Sequence, residues 1–157
     1  MNGREAPAPF LIFTYGNPSR GDDALGPAMF ELLEQCKQDS GLLNDVDLLT
    51  DFQLQIEHAI DFENRQKVLF VDASVSCAAP YECHQLVAQR DDSYTTHAMS
   101  PASVLAVYKH INKREPPAAY LLTIRGYKFG LGEAMSKRAE ENLQCAYRYI
   151  LDWKHGT

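Results

Sequence analysis

Two carboxylates and one imidazole, far apart along a chain of 157 residues, could do metal chemistry if folding gathered them. Asp23 lies in the run Gly16-Asn17-Pro18-Ser19-Arg20-Gly21-Asp22-Asp23-Ala24-Leu25-Gly26. Asp72 directly follows the apolar run Val68-Leu69-Phe70-Val71, and His97 stands just before Ser100-Pro101. Such a set leaves coordination positions open, which suits a borderline divalent ion that must also hold water or substrate. A helix opening at Ser100-Pro101 would present partial positive charge, so a histidine close to that end stays neutral and able to ligate. Each residue also has a plainer role. Asp22 or Asp23 could cap the helix that follows, or Asp22 could cap while Asp23 reaches the site. Asp72 could simply end its strand, and His97 could be a solvated loop histidine.

Other chemistries have less behind them. Gly16, Gly21 and Gly26 do not fit G-x-G-x-x-G, and no Gly-Lys-Ser/Thr follows. There is no G-x-S-x-G elbow and no H-E-x-x-H. Cys77 and His97 as nucleophile and base find no supporting feature. Cys36, Cys77, Cys83 and Cys145 form no C-x-x-C pair, so they read as reduced thiols rather than a zinc site. The formal net charge of -6 argues against a non-specific nucleic-acid binder and against attraction to anionic membranes. No signal peptide is evident and no apolar run approaches the roughly 20 residues that span a bilayer. A cytoplasmic protein is expected.

The elements that must position these residues read as one domain over 1–157, with 1–8 as a loose leader. Phe10 to Tyr15 is a continuous apolar run ended by Gly16, a buried strand. A helix is expected from about Asp23 to Lys37, with Leu25, Met29, Leu32, Leu33 and Cys36 on one face and Pro27 in its first turn. Strands are expected at Val46 to Thr50, Lys67 to Asp72, Tyr81 to Ala88 (at an edge) and Ala118 to Ile124. A short helix spans Leu54 to Phe62. A second helix opens at Ser100-Pro101, serine capping and proline at the first helical position, with Val104, Leu105, Tyr108 and Ile111 as its buried stripe. The last runs from about Met135 to Trp153. The alternation predicts an α/β fold: a three-layer α/β/α sandwich around a mostly parallel, twisted sheet of about five strands. Ligands of such sheets bind beyond the carboxyl ends of the strands. Asp23, Asp72 and His97 all fall in loops that belong there.

Together these segments resemble the hydrogenase maturation endopeptidase family. The resemblance runs from Phe10 to the final helix, and its most specific part is Gly16 to Pro27. Further matches are Asp51-Phe52-Gln53-Leu54, Val71-Asp72-Ala73, His97-Ala98-Met99-Ser100-Pro101 and Arg125-Gly126-Tyr127. The Asp-Phe-Gln-Leu and Arg-Gly-Tyr segments look most like the branch serving NAD-linked, bidirectional soluble hydrogenases. The resemblance implies metal binding and catalysis by Asp23, Asp72 and His97. Some members carry Glu where Asp23 stands, and some place the histidine after the Ser-Pro pair, where this chain has Ala102; His110 is the fallback.

The implied activity removes a C-terminal extension from the large-subunit precursor of a NiFe hydrogenase. Nickel already in the precursor serves as the recognition signal, and zinc or cadmium is expected to substitute in vitro. The ion would polarise the scissile carbonyl or activate water. Asn17, Asp51 and Gln53 are candidate substrate contacts, with turn formation as the plainer role of the last two. A monomer is expected. Two other classes share the features: a flavodoxin-like module for nucleotide or flavin, since fold alone does not fix function, and a chaperone that docks on the precursor without cutting.

Overall fold

Each apolar run read as a strand becomes one. A computed structural model describes residues 6–90 and 99–154. Its strands are β1 (Phe10–Tyr15), β2 (Val46–Asp51), β3 (Lys67–Ser74), β4 (Tyr81–Gln85) and β5 (Ala118–Arg125). The helices are α1 (Leu25–Ser40), α2 (Pro101–Asn112) and α3 (Lys137–Trp153), with 3-10 segments at Gly21–Ala24 and Ile56–Phe62. The five strands form one sheet in the order β2-β1-β3-β5-β4. All neighbours pair in parallel except β4, which runs antiparallel to β5 at the edge.

Alternation along the strands divides the core into two layers. On one face Ile12, Leu69, Val71 and Leu122 pack with Leu25, Met29 and Leu33 of α1 and Leu143, Ala146 and Ile150 of α3. On the other, Leu11, Phe13, Val68 and Phe70 pack with Phe62, Val104, Leu105 and Tyr108. A sheet covered on both faces is the expected sandwich.

The differences lie at element ends: β3 runs past Asp72 to Ser74, β4 stops at Gln85 rather than Ala88, and the short helix expected from Leu54 is a 3-10 segment that starts at Ile56. The Asp22-Asp23 pair sits in a 3-10 turn, so α1 proper begins at Leu25. Met135 precedes α3, whose cap is Ser136: its Oγ accepts from the Ala139 N–H at 3.2 Å. The Ser100 cap is as expected, with Oγ accepting from Ser103 N–H at 3.1 Å. Ile111, expected in the buried stripe of α2, falls in its last turn and is 64% exposed.

Gly26, in the first turn of α1, lies directly against the end of β1. A Cβ there would drive into the Tyr15 carbonyl oxygen, which is backbone and cannot step aside. Gly26→Ala is therefore expected to cost about 1–3 kcal/mol, seen as a lower urea midpoint. An unchanged midpoint would mean that α1 is not seated as described.

Candidate functional site

Parallel pairing brings the carboxyl ends of β1, β2, β3 and β5 to one rim. Across it the register aligns a single row. Tyr15 pairs with Asp51, and Asp72 pairs with Thr123. Thr14 pairs with Val71, so Tyr15 comes beside Asp72 one position later. By alternation all four side chains project from the same face as Phe13 and Phe70.

Asp23 is held over this row by its own loop. Gly16 takes a φ of 151°, open to glycine, and lets the chain fold back so closely that a Cβ would strike the Asp23 carbonyl. The Asn17 N–H then donates to Asp23 Oδ2 at 2.8 Å, while Asn17 Oδ1 accepts from Ser19 N–H at 2.8 Å. Asp72 Oδ1 accepts from its neighbour's N–H, that of Ala73, at 2.8 Å. The other oxygen of each carboxylate takes no hydrogen bond from the described residues. No buried side-chain oxygen or nitrogen among these residues lacks a partner, so neither oxygen is sealed from solvent.

The two acids feel each other. Burial pushes the Asp72 carboxyl up to about 7, the Ala73 N–H opposes this, and the negative charge of Asp23 adds to it. Two carboxylates crowded together with outward-facing oxygens fit a divalent cation, which would relieve both the repulsion and the lost solvation. Asp23 and Asp72 therefore fit the oxygen half of the expected ligand set. His97 lies outside the described residues, and among those residues no group of three metal-capable side chains occurs. His110 is exposed in the last turn of α2.

The neighbouring aspartate does something else. Asp22 is fully buried and makes no cap to α1. Its Oδ2 accepts from the N–H groups of Tyr127 and Lys128 at 2.6 and 3.0 Å and from Ser136 Oγ at 2.8 Å. Its Oδ1 accepts from Ser136 N–H at 2.6 Å. Burial alone would raise its pKa, but these four bonds outweigh it and hold the carboxyl below the usual range. The cap to α1 that the sequence offered for Asp22 is thus replaced by a clamp. It ties the first loop to the one after β5 and to the start of α3.

Asp51 ends β2, where its Oδ1 accepts from Phe52 N–H at 2.7 Å and its Oδ2 meets His58 Nε2 at 3.1 Å. His58 Nδ1 accepts from Gln55 N–H at 2.8 Å, which makes Nε2 the protonated nitrogen and Asp51 its acceptor. Both nitrogens of His58 are thus engaged. The Gln53 side chain makes no hydrogen bond among the described residues and is half-buried at the same rim.

Sequence reading passed over Tyr15 and His58. The signal for Tyr15 was present, since Leu11, Phe13 and Tyr15 share the period of a strand and the last of them stands at the rim. His58 carried none, because its partner Asp51 belongs to a different element. An open groove of about 520 Å³ lies beside β2, lined by Lys37, Asp47, Asp61 and Arg65 among others. Neither Asp23 nor Asp72 lines it, and its Asp47 is already paired with Arg65.

No protein-family model matches the chain, and no curated protein matches it. Solved structures do. The chain is similar to a NiFe hydrogenase maturation protease, HycI, from Thermococcus kodakarensis KOD1. The TM-score is 0.68 at 21% identity, over 92% of this chain and 91% of that one. It is equally similar to the hydrogenase maturating endopeptidase HybD from E. coli, with a TM-score of 0.68 at 20% identity over 94% and 93%. A hydrogenase 2 maturation peptidase from Thaumarchaeota archaeon SCGC_AB-539-E09 gives 0.65 at 22% over 92% and 96%. At these identities what is shared is the fold, across almost the full length of each chain.

Proposed function

We propose that this chain is an endopeptidase that removes the C-terminal extension of a NiFe hydrogenase large-subunit precursor, with nickel in that precursor as its recognition element. The observation that carries the reading is the pairing of Asp23 and Asp72. Asp23 comes from the 3-10 turn after β1 and Asp72 from β3; they meet at one rim and keep one oxygen each unblocked by the described residues. That they do so on the fold of solved hydrogenase maturation proteases supports the same assignment.

Asp23 and Asp72 would hold the divalent ion, with His97 as the expected nitrogen donor. When bound, the ion supplies Lewis acidity at the scissile carbonyl. The chain's own part is to fix the donors before substrate arrives. Asn17 N–H orients Asp23, and Ala73 N–H orients Asp72. The Asp22 clamp keeps the loop carrying Asp23 against the loop after β5. Hydrolysis adds water across one peptide bond, releasing the extension with a new amino terminus and leaving a carboxylate on the subunit. A peptide laid along this rim would find the Gln53 side chain and Asn17 Nδ2, neither of which has a hydrogen-bond partner among the described residues.

We assign the chain to the branch serving NAD-linked bidirectional hydrogenases on its Asp51-Phe52-Gln53-Leu54 and Arg125-Gly126-Tyr127 segments. Both border the rim, and the second is locked to Asp22. We further propose that it acts as a monomer in the cytoplasm. No helix among the described residues is long and apolar enough to cross a membrane.

The test is to incubate the protein with nickel-loaded precursor and weigh the large subunit. A mass loss equal to a C-terminal peptide is expected. An uncut subunit held in a stable complex would instead make the protein a chaperone of the precursor. A nucleotide or flavin retained through purification would make it a binding module.

A further inference from the structure

Asp23 and Asp72 as carboxylates offer only acceptors, so what they hold at the scissile carbonyl is the ion and its Lewis acidity. The carbonyl oxygen gains negative charge as the bond is attacked, and a hydrogen-bond donor at the same place would add to that stabilisation.

The row across the rim contains one well placed. Tyr15 stands between Asp51 on β2 and Asp72 on β3. Its ring is anchored on the core beside Phe13, with centroids 6.5 Å apart. The hydroxyl makes no hydrogen bond with any described residue. Since no buried polar side-chain atom among them lacks a partner, the hydroxyl is not sealed from solvent at the end of β1. A phenol is protonated at neutral pH and can donate from that position. Asp51 cannot compete for this role, because a carboxylate has no proton to give and both its oxygens are engaged.

We infer that Tyr15 donates a hydrogen bond from its hydroxyl to the carbonyl oxygen of the scissile peptide, alongside Asp72. This rests on the proposed peptidase function and adds to it a catalytic residue from the end of β1. Its effect belongs to the transition state, where charge on the oxygen is largest, so it acts on turnover more than on binding.

Tyr15→Phe removes the hydroxyl and keeps the ring. With nickel-loaded precursor, the single-turnover cleavage rate is expected to fall about 100-fold. Precursor affinity, nickel binding by the free protein measured by calorimetry, and thermal midpoint should all stay at wild-type values. Thr123→Val, on the other flank of Asp72, serves as the control and should cut at the wild-type rate. Wild-type cleavage by Tyr15→Phe would overturn the inference while leaving the peptidase intact. So would a rate loss matched by loss of precursor affinity or of thermal stability, which would make Tyr15 structural. A larger loss in Thr123→Val would move the donor to that residue. Failure of the wild-type protein to cut any precursor would sink the proposed function, and this inference with it.

Discussion

Asp72→Asn is expected to leave the precursor uncut while making the metal-free protein harder to unfold at pH 8. The two effects have one cause. Asp72 is half-buried beside a second carboxylate, and burial pushes its carboxyl up from 3.8 to about 7. A group whose native pKa is raised holds its proton more tightly folded than unfolded, so stability falls as pH climbs between those values. Above them the ionised side chain costs the fold up to ~4 kcal/mol, an upper limit because water entry and relaxation reduce it. Asparagine can still accept from Ala73 N–H but carries no charge. Its advantage should be present at pH 8 and nearly gone at pH 4. Urea unfolding at both values reads this directly. Cleavage, by contrast, should drop at least about 100-fold, since even outer-shell changes at metal sites cost 10–100-fold. A variant that cuts normally, or that gains no stability at pH 8, would mean that Asp72 is not the buried member of the pair.

Asp22→Ala should have the largest effect on folding. The carboxylate is wholly buried and accepts four hydrogen bonds from Tyr127, Lys128 and Ser136. Removing it takes away the acceptor of four hydrogen bonds at once, so a loss on the order of 4 kcal/mol is expected. Its pH dependence runs opposite to that of Asp72. The native pKa is lowered, so the stability Asp22 contributes is present above the ordinary carboxylate range and disappears on acidification. Wild type and Asp22→Ala should therefore converge in stability as pH falls below about 4. A constant gap across that range would show that Asp22 acts through shape rather than charge.

These two neighbours illustrate how far the sequence could be read. The strand end at Tyr15, the Ser100-Pro101 start of α2 and the edge position of β4 were legible, whereas β3 runs two residues past Asp72 to Ser74. Burial is written in contiguous apolar runs, and capping in residues adjacent along the chain. That Asp23 belonged to a rim site was also within reach, because parallel strands followed by helices fix where their loops must gather. The roles of Asp22 and Asp23 were not separable. What distinguishes them is which side of a 3-10 turn each faces, and the partners of Asp22 lie 105 to 114 residues away. The same holds for Asp51 and His58, whose meeting depends on how the Ile56–Phe62 segment returns over β2.

By itself the amino-acid order determined which segments are buried, how they alternate and therefore which loops share an edge, because hydrophobic periodicity acts over a few residues and survives without knowledge of neighbours. Only the tertiary structure decided which carboxylate faces the rim and which is consumed as a clamp, and that a tyrosine stands in the row between two acids. Those outcomes depend on strand register and on hydrogen bonds closed between remote loops, where a one-residue shift turns a side chain to the opposite face.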